Sequence, residues 1–146
     1  MSFIKYTIVT AIIMVCVFPT TAIAKKKVSP NIYMFGLAAS FNDTIVHFTE
    51  IQKVDSALID KKSHFLLGRE SYSLQLRGYL TNQQMPYRTT IIFYDDKLNK
   101  LQKKYLKVKK LYTGDKKRKT HNDVRLIPIS DFKFTSINIS DDSETE

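Results

Sequence analysis

The chain has 146 residues, 23 of them Lys or Arg against 14 Asp or Glu, and a formal charge of +9 at pH 7. That length suits one ordinary domain rather than several. The charge argues against cationic partners and for acidic ones, and the single cysteine, Cys16, excludes an intramolecular disulfide.

In chain order, residues 1–24 read as an export signal: Lys5 supplies a positive start, 6–18 form an apolar run, and Thr21-Ala22-Ile23-Ala24 puts small side chains where a signal peptidase reads. The run would span about 20 Å as a helix against roughly 30 Å of hydrocarbon, so a cleaved signal is preferred over a permanent anchor. The mature protein is then expected to begin near Lys25 and to be exported, periplasmic or secreted. Cys16 leaves with the signal, and its apolar surroundings make it a poor lipid acceptor. A disulfide, a Cys-ligated zinc and a thiol nucleophile are therefore excluded from the mature chain. Residues 25–139 are expected to form a single domain, and 140–146, acidic and without an apolar residue, a disordered tail.

Segments 31–41 and 44–52 read as a hairpin around Asn42-Asp43. A tight turn there sets Ala39 opposite Val46 and Leu37 opposite Phe48, with Phe35, Leu37, Ala39, Val46 and Phe48 on one apolar face. The other face carries Met34, Ala38, Ile45, His47, Thr49 and Ile51, and its covering is left open. Segment 54–62 fits either a short strand or an irregular connection. Residues 69–83 read as a helix, with Tyr72, Leu76, Tyr79 and Leu80 at helical spacing and Met85-Pro86 turning the chain out. Residues 88–94 form a β-branched and aromatic run too continuous to be one-sided, which predicts a central strand.

A second helix is expected from a cap at Asp95 or Asp96 to about Tyr112, closed by Gly114, with Leu98, Leu101, Tyr105, Val108 and Tyr112 as one apolar stripe. Residues 123–127 read as a last strand, stopped or moved to an edge by Pro128, and Phe132 and Phe134 suggest another short extended piece. The expected fold is α+β: a two-layer sandwich, order ββαβαβ, with a four- to five-stranded mainly antiparallel or mixed sheet and both helices on one face.

Charge is the strongest remaining signal. Between residues 97 and 119 there are eleven Lys or Arg against one acid, Asp115. Lys100, Lys103, Lys107 and Lys110 fall opposite the apolar stripe, and Lys116, Lys117, Arg118 and Lys119 follow in a loop. These eight residues are the candidate binding face for an acidic protein or an anionic envelope polymer, weighed against simple solvation of a helix surface. Nucleic acid is disfavoured, because no stacking ladder or recognised motif accompanies the lysines. No metal or cofactor site is expected, since His47, His64 and His121 are far apart in sequence. Asp95-Asp96 is the one acidic pair at a suggestive place, the end of a strand, although helix capping explains it without function and is the preferred reading. The alternative to a non-catalytic binding role is thus a small envelope hydrolase or transferase with its site near Asp95 and Asp96.

Ser29-Pro30-Asn31-Ile32-Tyr33, Ala39-Ser40-Phe41-Asn42-Asp43, Phe65-Leu66-Leu67-Gly68-Arg69, Met85-Pro86-Tyr87-Arg88-Thr89 and Asp131-Phe132-Lys133-Phe134 resemble segments of small exported proteins of Bacteroidetes bacteria. The resemblance implies an envelope or secreted location and brings no activity with it.

Overall fold

The computed structural model describes residues 26–29, 31–114 and 122–137. The expected export signal (1–24), the loop cations Lys116, Lys117, Arg118 and Lys119, and the acidic tail (140–146) lie outside the described residues. In chain order the elements are β1 (Lys26–Ser29), β2 (Ile32–Ala39), β3 (Ile45–Thr49), β4 (Gln52–Val54), β5 (Ala57–Asp60), α1 (Arg69–Asn82), β6 (Thr89–Asp95), α2 (Leu98–Thr113) and β7 (Asp123–Ile127). The fold is α+β, with two helices and a five-stranded mixed sheet, beside which β1 and β5 form a separate antiparallel pair.

The hairpin has the register its apolar pattern predicts, Leu37 opposite Phe48 and Ala39 opposite Val46. Its turn is looser than expected because the polar side chains bond locally instead of continuing the ladder. Ser40 Oγ accepts the Asn42 N–H, and Asp43 Oδ1 accepts the Ile45 N–H at 2.9 Å. Arg88, on the neighbouring β6 side, donates to Asp43 at 2.7 Å and to the Ile45 carbonyl at 2.9 Å, so a buried guanidinium ties the loop to the sheet.

Beyond Thr49 the partner strand shifts by one residue. Leu37 faces Phe48, but Met34 faces Gln52, which leaves three residues opposite two and defines a β-bulge at 49–51. Thr49 fills the gap by accepting the Gly36 N–H on its Oγ1 at 2.9 Å. The bulge also reverses which way side chains point. Ile51, expected beside Thr49, joins Phe35 and Phe48 instead, and Gln52 is sent into the opposite core.

The placement of the helices differs from expectation: they lie on opposite faces, giving three layers rather than two. α2 covers Phe35, Leu37, Val46 and Phe48 with Leu101, Tyr105, Val108 and Tyr112. α1 covers Met34, Ala38, Val54 and Ile92 with Tyr72, Leu76 and Leu80. The reason lies in β2, whose residues are apolar on both sides: Met34, Phe35, Leu37 and Ala38 are all buried, and one layer of helices cannot cover both faces. Gly36 sits beneath α1, where a β-carbon would overlap Leu76 Cδ2 and press on Phe134.

The run 89–94, expected at the centre of the sheet, is β6, which pairs with β2 and with no other described strand. One of its faces is buried at Thr90 and Ile92, while the other is covered only toward Phe93 and leaves Ile91 exposed. Ile92 lies in the α1 core, and the Phe93 ring stacks on Phe35 at 4.8 Å on the α2 side. β7 runs parallel to β3 at the other edge, with Pro128 just beyond it. Phe132 and Phe134 do form an extended segment, but no strand among the described residues pairs with it. Two glutamine amides take the place of a ladder. Gln52 donates to the Phe132 carbonyl and accepts the Phe134 N–H at 2.9 and 2.8 Å, and Gln75 does the same for Thr135 at 3.1 and 2.9 Å.

Candidate functional site

α2 sets the geometry of the candidate basic face. Its residues Leu101, Tyr105, Val108 and Tyr112 turn to the sheet, with the Tyr105 ring edge-on to Phe35 at 4.9 Å and Tyr112 edge-on to Phe48 at 5.9 Å. Helical spacing then directs Lys103, Lys107 and Lys110 outward, and all three are exposed, as is Lys100. Lys104 and Lys109 behave differently, lying over the rings of Phe93 and Tyr105 at 5.7 and 5.8 Å. No Asp or Glu occurs between residues 97 and 113, so no i,i+4 acid on the helix offsets this charge. Leu106 and Leu111, 66% and 50% exposed, interrupt the lysines with apolar surface.

The aromatic residues of α2 belong to the core, which removes them as a stacking platform. Tyr33 and Tyr94 are half-buried and Tyr87 is exposed. Glu50, which has no partner legible in sequence, accepts the Ile129 N–H at 2.8 Å.

Asp95 and Asp96 stand at the mouth of a cleft of about 790 Å³. Besides these two carboxylates its lining includes Ile59, Asp60, Lys61, His64, Tyr94 and Lys100. Three pieces of chain build it: the end of β5 with the turn that follows, the end of β6, and the start of α2. The turn folds because Asp60 accepts the N–H groups of Lys62 and Ser63 and the Ser63 hydroxyl on its carboxylate, while its own carbonyl accepts the His64 N–H. Those hydrogen bonds, from Ser63 foremost, hold the Asp60 carboxyl below its ordinary range and keep it ionised. Tyr94 ties the other wall by accepting the Leu66 N–H on its hydroxyl at 3.0 Å. Asp95 accepts the Lys97 N–H at 3.0 Å, a turn before α2 rather than a cap within it.

The sequence singled out Asp95, Asp96 and Lys100 but separated them in purpose; the fold brings them into one cleft. Asp60, Lys61 and His64 were not singled out as site residues. The only signal was a polar stretch, 60–64, following a short apolar run. Among the described residues no group of three or more His, Cys, Asp or Glu has the geometry to hold a metal ion, and no helix is long and apolar enough to cross a membrane.

A second polar node is buried in the sheet. His47 lies between Arg88 and Arg125, with its Nδ1 lacking a hydrogen-bond partner. Burial, then the two guanidinium groups, lower its pKa, so it is neutral in the folded protein at neutral pH. His47 and Arg88 are both buried, and only Arg125 reaches the surface.

Comparison with family models, with curated proteins and with solved structures finds no match.

Proposed function

We propose that this is an exported, non-catalytic binding or accessory protein of the cell envelope, which uses the basic face of α2 against an acidic protein or an anionic polymer. One observation carries the reading. Lys100, Lys103 and Lys107 project from the solvent side of a helix that has no acidic residue. Like charges three and four residues apart each cost a helix about 0.2–0.5 kcal/mol, a burden that a face selected only for solubility avoids by mixing signs. An acidic partner converts that repulsion into attraction and is steered toward the face at low salt. Lys110 and the loop cations Lys116, Lys117, Arg118 and Lys119 extend the same charge in sequence.

The test is crosslinked recovery from the cell envelope with the native protein beside Lys103→Glu/Lys107→Glu. A partner held by the native form and lost by the variant, at unchanged thermal stability, supports the reading. Equal recovery by both returns the lysines to solvation.

A second reading, a small hydrolase or transferase, is favoured by the cleft beside Asp95 and Asp96. Against it, Asp95 is already occupied in organising the turn into α2. That reading requires an envelope activity that Asp96→Asn abolishes while the fold is kept.

A further inference from the structure

The cleft is lined by side chains of both signs. Asp60, Asp95 and Asp96 supply negative charge, while Lys61 and Lys100 supply positive charge, in a volume of about 790 Å³ that lies within the range of small-molecule sites. A ligand of one sign would be drawn to some of these side chains and repelled by the others. A ligand with both signs is matched by both.

Two further features set the polarity. The Asp60 carboxylate is held in place by the Ser63 hydroxyl and by two backbone N–H groups, so it is preorganised and ionised. The positive side chains, Lys61 and Lys100, come from two segments, the turn after β5 and the first turn of α2. The start of that 16-residue helix already has the Asp95 carboxylate accepting the Lys97 N–H, so the positive charge of the cleft rests on the two lysines. Ile59 and Tyr94 add apolar surface to the lining.

We propose that the cleft binds a small zwitterion, a primary ammonium joined by a short linker to an oxyanion such as phosphate. The ammonium is received by Asp60 and Asp96, and the oxyanion by Lys61 and Lys100. This site is distinct from the outward lysine face and shares only Lys100 with it. The ligand chemistry has two sources, a free amino-phosphate compound or the ammonium-phosphate headgroup of a lipid.

The experiment is calorimetric titration of the full chain with O-phosphoethanolamine, and with ethanolamine and inorganic phosphate as its halves. The whole compound is expected to bind at least about tenfold more tightly than either half, since each charge-assisted contact is worth about that factor. Asp96→Asn and Lys61→Gln, both at exposed positions, should each weaken it about tenfold. Lys103→Glu/Lys107→Glu should leave it unchanged while removing any acidic partner of α2, so failure of one reading is separable from failure of the other. Phosphate binding as tightly as the whole compound overturns the proposal in favour of a plain anion site. So does ethanolamine binding as tightly, absence of saturable binding, or indifference to both cleft variants. Given binding, preferential cosedimentation with vesicles containing phosphatidylethanolamine over phosphatidylglycerol alone assigns the lipid source, and equal cosedimentation assigns the free compound.

Discussion

The two faces of the central sheet are covered by helices of similar length and unlike character. On one face α1 buries Tyr72, Leu76 and Leu80, approaches the backbone closely at Gly36, and is joined by Phe132 and Phe134 on a segment pinned by glutamines. On the other, α2 buries only Leu101 completely, and its aromatic rings lie half-exposed over Phe35 and Phe48. The contrast separates tasks. Deep, closely fitted burial holds the fold together, while a shallowly seated helix can carry unbalanced charge because little packing depends on its outer surface.

The sharpest way to break this comparison is to cut the glutamine tie on the α1 side. Gln52→Leu leaves the Phe132 carbonyl and the Phe134 N–H without a partner in the core, and urea unfolding should show a loss of about 2–4 kcal/mol. A loss below about 1 kcal/mol would mean that the segment is held by its phenylalanines alone.

Glycine substitutions come next. Gly36→Ala forces Leu76 or Phe134 to move in a full core and should cost about 1–3 kcal/mol. Gly78→Ala, on the same α1 side but with nothing near its added methyl, should instead stabilise by about 0.5–1 kcal/mol. Opposite signs at two glycines would confirm that close approach, and not helix propensity, sets the cost at Gly36.

His47 offers a pH test of the sheet between them. Its folded pKa lies below the ordinary 6.5, so between those two values the unfolded chain holds more protons than the folded one. Its contribution is therefore complete above pH 6.5 and is lost as pH falls through the folded value. Asp43 and Asp60, whose pKa values are lowered from 3.8, lose their contributions at more acidic pH and do not obscure this window. Thermal melts of His47→Gln should lack the decline that the native protein shows below pH 6.5; an identical decline would assign it to other groups.

The smallest effect is expected on the α2 side. Lys103→Glu/Lys107→Glu should change unfolding stability by no more than about 0.5 kcal/mol per site, because both side chains are exposed. A larger loss would show that the outer surface of α2 supports the fold and would undo the division of tasks.

The hairpin register, both helices and the last strand were legible in the residues because each follows from local periodicity. Alternation of Phe35, Leu37 and Ala39 against Val46 and Phe48 admits one register, and the spacing of Leu101, Tyr105, Val108 and Tyr112 admits one helix face. The edge position of β6 was not legible, since a continuous β-branched and aromatic run reads the same whether or not the strand has a second neighbour. The bulge was hidden too. Nothing between Phe48 and Gln52 signals an inserted residue, because the compensation, Thr49 bonding the Gly36 N–H, joins positions 13 apart. The cleft was half visible: Asp95 and Asp96 marked a strand end, but Asp60, Lys61 and His64 come from a turn whose distance from that end no periodicity encodes.

The sequence by itself determined the charge, the two amphipathic stripes and the hairpin register, because these depend on neighbours within a turn or a strand pair. Tertiary structure decided that the helices take opposite faces, that Gln52 and Gln75 replace a missing strand, and that carboxylates and lysines from three segments line one cleft. Burial of β2 on both sides leaves no two-layer solution, and the contacts that settle the rest join residues far apart in the chain.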